Sequence, residues 1–177
     1  MPGDADRMTT GPVLLCFDGS DDAAVAIATA ARVLGPRSAV VLTVWEPVAV
    51  WQPYDPATAI TAPLSRLASR ALGLDDIARD VAREHVSRGL ELAREAGFAA
   101  QSRIAGGRSW RVICDVADEL EAEPIVVGAR GLSRVQSALL GSVSAAVAQH
   151  ARRPVLVIPR QAAPNKAGRP RVAERPR

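Results

Sequence analysis

Two cysteines and two histidines are all that this 177-residue chain offers to thiol or metal chemistry. Cys16 and Cys114 have neither metal-ligand spacing nor the spacing of a disulfide framework, so they read as reduced packing thiols. His85 and His150 stand apart from each other and from the cysteines, and read as surface or structural residues. No Gly-Lys-Ser/Thr element occurs, which excludes a Walker-type phosphate loop with its clamping lysine. The Gly-x-Ser-x-Gly elbow of serine hydrolases is also missing. No apolar run approaches the roughly 20 residues that cross a bilayer. Residues 1–12 carry no apolar signal-peptide core, so a cytoplasmic protein is expected.

Aromatic residues number six, and three of them, Trp45, Trp51 and Tyr54, fall within ten residues. Such a group can stack on a ligand ring or cover a pocket mouth, and it can equally seal a core or an interface. The net charge is +3, but residues 160–177 alone carry +5, which leaves −2 on residues 1–159. The basic balance is thus a property of the tail, and nucleic-acid binding by the body is not expected.

What the chain does have is an alternation of apolar runs and helical patterns. Val13–Phe17 reads as a strand buried on both faces, ended by Asp18, Gly19 and Ser20. Ser20 is suited to cap the next helix, with Asp21 and Asp22 in its first turn. Ala24, Ile27, Ala28, Ala31 and Leu34 then recur at helical spacing, and Gly35-Pro36 stops the pattern. Ala39–Trp45 is a second buried strand. A short helix is expected somewhere in 63–72. A longer one begins near Asp75 and shows Ala78, Ala82, Val86, Leu90, Ala93 and Gly97 on one face. Phe98–Ile104 is a less apolar third strand, suited to an edge. Gly106 and Gly107 read as a turn, and Ser109 as the cap of a helix that buries Ile113, Val116, Ala117 and Leu120. Ile125–Val127, Val143–Ala151 and Pro154–Ile158 complete the series as strand, helix and strand.

Strands alternating with helices predict a parallel sheet with helices on both faces. Ligands then bind beyond the strands' C-terminal ends, where strand order reverses. Two elements fall at such ends. One is the Asp18-Gly19-Ser20 turn, although Asp-Gly is also an ordinary turn pair. The other runs from Gly128 through Arg130 and Gly131 to Gly141, Ser142, Val143 and Ser144. Glycines following a strand and opening a helix suit a phosphate, because backbone amides and the positive helix end face the anion. Gly141 is expected at a positive φ, which a β-branched residue would disfavour. Ser142 is expected to cap the helix and to point at the anion position. Arg130 is the nearest cation, and a solvated loop charge is its bland reading.

With these residues placed, the chain resembles the single-domain, ATP-binding branch of the universal stress protein family over roughly residues 12–159. The run Val13 to Ser20 is similar to the family's opening strand and acidic turn. Gly128-x2-Gly131-x9-Gly141-Ser142 satisfies its nucleotide motif. Arg153 to Pro159 is similar to its last strand. The resemblance implies a five-stranded parallel sheet of order 3-2-1-4-5, of the adenine-nucleotide α-hydrolase type. Residues 1–11 would be a flexible leader, and 160–177 a basic disordered tail. The resemblance implies ATP at the sheet edge, with Gly128, Arg130, Gly131, Gly141, Ser142, Val143 and Ser144 around phosphates and ribose. Val44 would meet adenine through its backbone, and Val127 would border the ring. Asp18 would lie near ribose or adenine and meet a divalent ion such as magnesium. It also implies a homodimer in which Val155, Leu156, Val157 and Ile158 pair with their twins.

The expected role is that of a nucleotide-dependent regulatory protein with no assigned catalytic residue and at most slow ATP hydrolysis. A nucleotide-using transferase of the same superfold and a nucleotide-free interaction module are the alternatives.

Overall fold

The computed structural model describes residues 11–47, 72–129 and 140–159. The helix expected in 63–72 and the residues Trp51, Tyr54, Arg130 and Gly131 lie outside them or at their margin, as do the leader and the tail. The chain runs β1 (Val13–Cys16), α1 (Asp21–Leu34), β2 (Ser38–Trp45), α2 (Leu74–Glu95), β3 (Ala99–Gly106), α3 (Ser109–Glu119), β4 (Ile125–Gly128), α4 (Ser142–His150) and β5 (Val155–Ile158). All strand pairs are parallel, in the order β3-β2-β1-β4-β5. This is the order expected from the sequence, and the reversal point lies between β1 and β4.

Strand polarity explains the layers. Val13, Leu15 and Phe17 face a core shared with α1 and α2, and Leu14 faces a second core shared with α3 and α4. Both faces of β1 are therefore dry, which is why it reads as an unbroken apolar run. Gly89 lets α2 lie close to the sheet: a Cβ there would stand 2.8 Å from the Phe17 ring and 2.9 Å from Val41. Arg103 and Glu119 join β3 to α3 through paired bonds of 2.9 and 2.7 Å. The edge strand β3 is exposed at Ala99, Gln101 and Ser102, in keeping with its polarity.

Several local expectations change. The buried stripe of α1 is Ala23, Ala26, Ile27 and Ala30, with Ala24, Ala31 and Leu34 only flanking it. A helix with six alanines in fourteen residues does not mark its own phase. Gly106 ends β3 and only Gly107 turns, at φ +140°. Ser109 is the first residue of α3, not its cap, and Arg108 holds the cap position without a side-chain bond. No helix among the described residues is long and apolar enough to cross a membrane.

Candidate functional site

The C-terminal edge of the sheet gathers the described candidates in neighbouring columns. Cys16 pairs with Leu42, so Asp18 lies level with Val44. Leu15 pairs with Val126, which brings Val127 and Gly128 level with Cys16 and Phe17. The β1–α1 turn is fixed from inside. Thr43 Oγ1 donates to the Phe17 carbonyl at 2.8 Å, and the Phe17 amide donates to the Leu42 carbonyl at 2.9 Å. Asp18 Oδ1 accepts the Ser20 amide at 3.0 Å, and Ser20 Oγ accepts the Ala23 amide at 3.1 Å. Gly19 has φ +85°, and a Cβ there would stand 2.6 Å from the His85 ring. Position 19 is thus glycine for its backbone and for the imidazole that α2 lays against it. His85 is half-buried at this turn, although nothing in its sequence neighbourhood marks it.

At the β4 side, the two ends of the 130–140 segment are tied together. The Ala129 amide donates to the Ile158 carbonyl at 2.7 Å, and the Gly141 amide donates to the Ala129 carbonyl at 2.6 Å. Ser144 is buried, and its hydroxyl donates to the Gly128 carbonyl at 2.6 Å. Gly141 holds the N-cap position of α4 with φ −68° and ψ 156°, an ordinary extended conformation. The expectation of a positive φ is therefore wrong, as is the expectation that Ser142 caps the helix. Ser142 is the first helical residue, and Val143 beside it is exposed.

The helix N-termini differ in charge. α1 has Ser20, Asp21 and Asp22, and α2 has Asp75 and Asp76. α3 has no acid of its own, but Glu46 Oε1 accepts both the amide and the hydroxyl of Ser109 at 2.7 Å. α4 alone among the described helices has no first-turn acid, no side-chain cap and no such carboxylate bonded to its start. Its first-turn amides have no acceptor within the helix, and among the described residues no acid compensates the positive end of its dipole.

Trp45 is half-buried and already has packing partners. Its ring lies against Gly106, where a Cβ would stand 2.6 Å away, and Arg79 Cζ sits 4.9 Å from the ring centroid. It packs as a core-edge residue with a cation over it. Burial pushes the Cys16 thiol far up, with Cys114 and Asp18 adding to the shift. Burial also raises Cys114, beside Asp115 and Asp118. Both thiols are therefore protonated near neutrality and serve packing, as expected. Among the described residues no group of three or more His, Cys, Asp or Glu side chains gathers to hold a metal ion. Asp18, with one oxygen engaged by Ser20, offers a single carboxylate, so a divalent ion there would depend on oxygens of a bound phosphate.

The sequence profile of the universal stress protein family matches residues 9–159. The chain belongs to that family. It is 34% identical over 91 residues to a universal stress protein A-like protein of Arabidopsis thaliana, a match covering 48% of this chain and 52% of that one. It is 39% identical over 80 residues to the universal stress protein Sll1654 of Synechocystis, covering 43% of this chain and 51% of that one. The chain thus spans about half the length of these curated relatives. Among solved structures, a universal stress protein in complex with cAMP superposes with a TM-score of 0.52 at 24% identity, covering 84% of this chain and 96% of that one. An Arabidopsis thaliana family member with AMP bound gives 0.53 at 20% identity, covering 86% and 93%. The Archaeoglobus fulgidus protein in complex with dAMP gives 0.51 at 22%, covering 85% and 99%. These solved structures share the chain's fold, a parallel five-stranded sheet of order 3-2-1-4-5 with helices.

Proposed function

We propose that the chain is a cytoplasmic, ATP-binding regulatory protein that works as a homodimer and hydrolyses ATP slowly at most. The observation that carries this reading is the N-terminus of α4, which no acid among the described residues compensates and which the Gly141–Ala129 and Ser144–Gly128 bonds hold against the end of β4. Helix N-terminal amides at a strand's C-terminal end favour an anion such as phosphate. The absence of a side chain at Gly141 supports the same reading. A serine or aspartate at an N-cap bonds the first-turn amides itself, whereas glycine leaves them to a ligand. The Ser144 hydroxyl proton is committed to Gly128, so Ser144 would serve a nucleotide through its amide.

Asp18 and Val44 lie level with each other one and two strands away, which supports base and ribose lying there beside the phosphates. The nucleotides bound by the three solved relatives are all adenine nucleotides, in keeping with this placement. With no P-loop lysine in the chain, little favours γ-phosphoryl transfer, so the nucleotide would act by occupancy rather than turnover. Magnesium, if it accompanies the phosphates, would supply charge neutralisation, with Asp18 its one protein ligand.

The test is to denature the freshly purified full chain and analyse the supernatant for adenine nucleotides. Release of ATP or AMP in an amount approaching one per chain supports the reading. If none is released and none binds at about 1 mM, the reading is wrong.

A further inference from the structure

Among the described residues at the sheet's C-terminal edge, Glu46 has its carboxylate anchored by a different element, α3. Its Oε1 accepts two bonds from Ser109, at 2.7 Å each, and thereby caps α3 from a position 63 residues upstream. The backbone that carries it is pinned as well. The Trp45 carbonyl accepts the Gly107 amide at 3.0 Å, and the Trp45 ring lies against Gly106 with Arg79 Cζ 4.9 Å from its centroid. Glu46 follows Val44 by two residues. Its bond to α3 places it on the α3 side of the sheet, where Val44 also packs. The Ser109 bonds use one oxygen and take no part of the other, Oε2.

Resting on the nucleotide reading above, we propose that Glu46 is a base-specificity residue whose Oε2 accepts a hydrogen bond from the exocyclic amine of a 6-aminopurine. Two residues of extended chain separate Val44 and Glu46 by about 6.6 Å, comparable to the length of a purine. A base set against Val44 therefore has its far edge within reach of the carboxylate. An ionised carboxylate is an acceptor only. It rewards the amine of adenine, and it sets lone pair against lone pair with the 6-oxo group of hypoxanthine. Because Oε1 is tethered, the carboxylate cannot turn away from the wrong base, and rigid placement is what makes one hydrogen bond discriminate.

The experiment is calorimetric titration of the full chain with AMP and with IMP, for wild type and Glu46→Gln. Glutamine can keep its oxygen on Ser109, and its amide nitrogen then replaces the acceptor by a donor. Wild type is expected to bind AMP about tenfold more tightly than IMP, and Glu46→Gln to abolish or reverse that ratio. A purely structural role in capping α3 would lower both affinities and leave the ratio unchanged, and that result overturns the proposal. Should Glu46→Gln fail to fold, wild type is compared with N6,N6-dimethyl-AMP, which has no N–H to donate. Weakening by about tenfold supports the proposal, and affinity equal to that of AMP overturns it. Wild type that binds AMP without preference rejects the role of Glu46 alone. Wild type that binds neither nucleotide rejects the nucleotide reading and this proposal with it.

Discussion

Ser144 commits its single hydroxyl proton to the Gly128 carbonyl at 2.6 Å, and in doing so ties the first turn of α4 to the last residue of β4. Removing the hydroxyl leaves a carbonyl with one partner fewer in a nearly dry setting. Ser144→Ala is expected to cost about 1–2 kcal/mol in urea denaturation, and to weaken nucleotide binding through misplacement of the helix. A change below about 0.3 kcal/mol would mean that the bond does not hold the two elements together. Gly19 shows the same economy at the other strand end, where a positive φ and an imposed imidazole both exclude a side chain. The acidic turn and the glycines that flank it were legible as local patterns. The partners were not, because His85 on Gly19 and Glu46 on Ser109 are contacts between residues more than sixty positions apart.

The elements were legible where one physical signal dominated. β1, β4 and β5 are short apolar runs, β2 is one broken only by Ser38 and Thr43, and Ser20 caps α1 as its position suggested. The phase of α1 was not legible, since alanine is nearly neutral between core and surface. The start of α3 is not legible because the carboxylate bonded to it comes from Glu46, just past β2, and not from its own turn. Gly141 was misread because glycine suggests a positive φ, whereas here its missing side chain is the feature that matters. That distinction is testable. Gly141→Asp fits the observed extended backbone, caps α4 and complements its dipole, so stability should rise by about 0.5–1 kcal/mol. The same carboxylate would occupy the amides proposed for phosphate. Loss of stability would show that position 141 requires glycine for its backbone after all.

At the scale of the whole molecule, the parallel order leaves β5 at one edge, with Val155, Leu156 and Val157 only half-buried. An apolar edge with open backbone groups invites a second copy of the chain. Sedimentation velocity should therefore show a dimer, and Val157→Lys should shift it to monomer, since a charge on an edge opposes pairing. A wild-type monomer at tens of micromolar would remove the proposed assembly while leaving the nucleotide site untouched. The topological switch between β1 and β4 is what sets the Asp18 turn beside the β4–α4 junction, although about 110 residues of chain separate them. The alternation of elements leaves this juxtaposition conditional on β1 and β4 being adjacent, which the family resemblance implies and the strand order shows.

The proposed nucleotide site depends on the first-turn amides of α4 receiving a phosphate. Titration calorimetry with ATP, run side by side on the wild-type full chain and on Gly141→Asp, tests this most directly. Wild type is predicted to bind with a dissociation constant below about 1 mM, and the variant, folded and at least as stable, to bind more than about tenfold more weakly. Equal affinity in the two proteins would contradict the account.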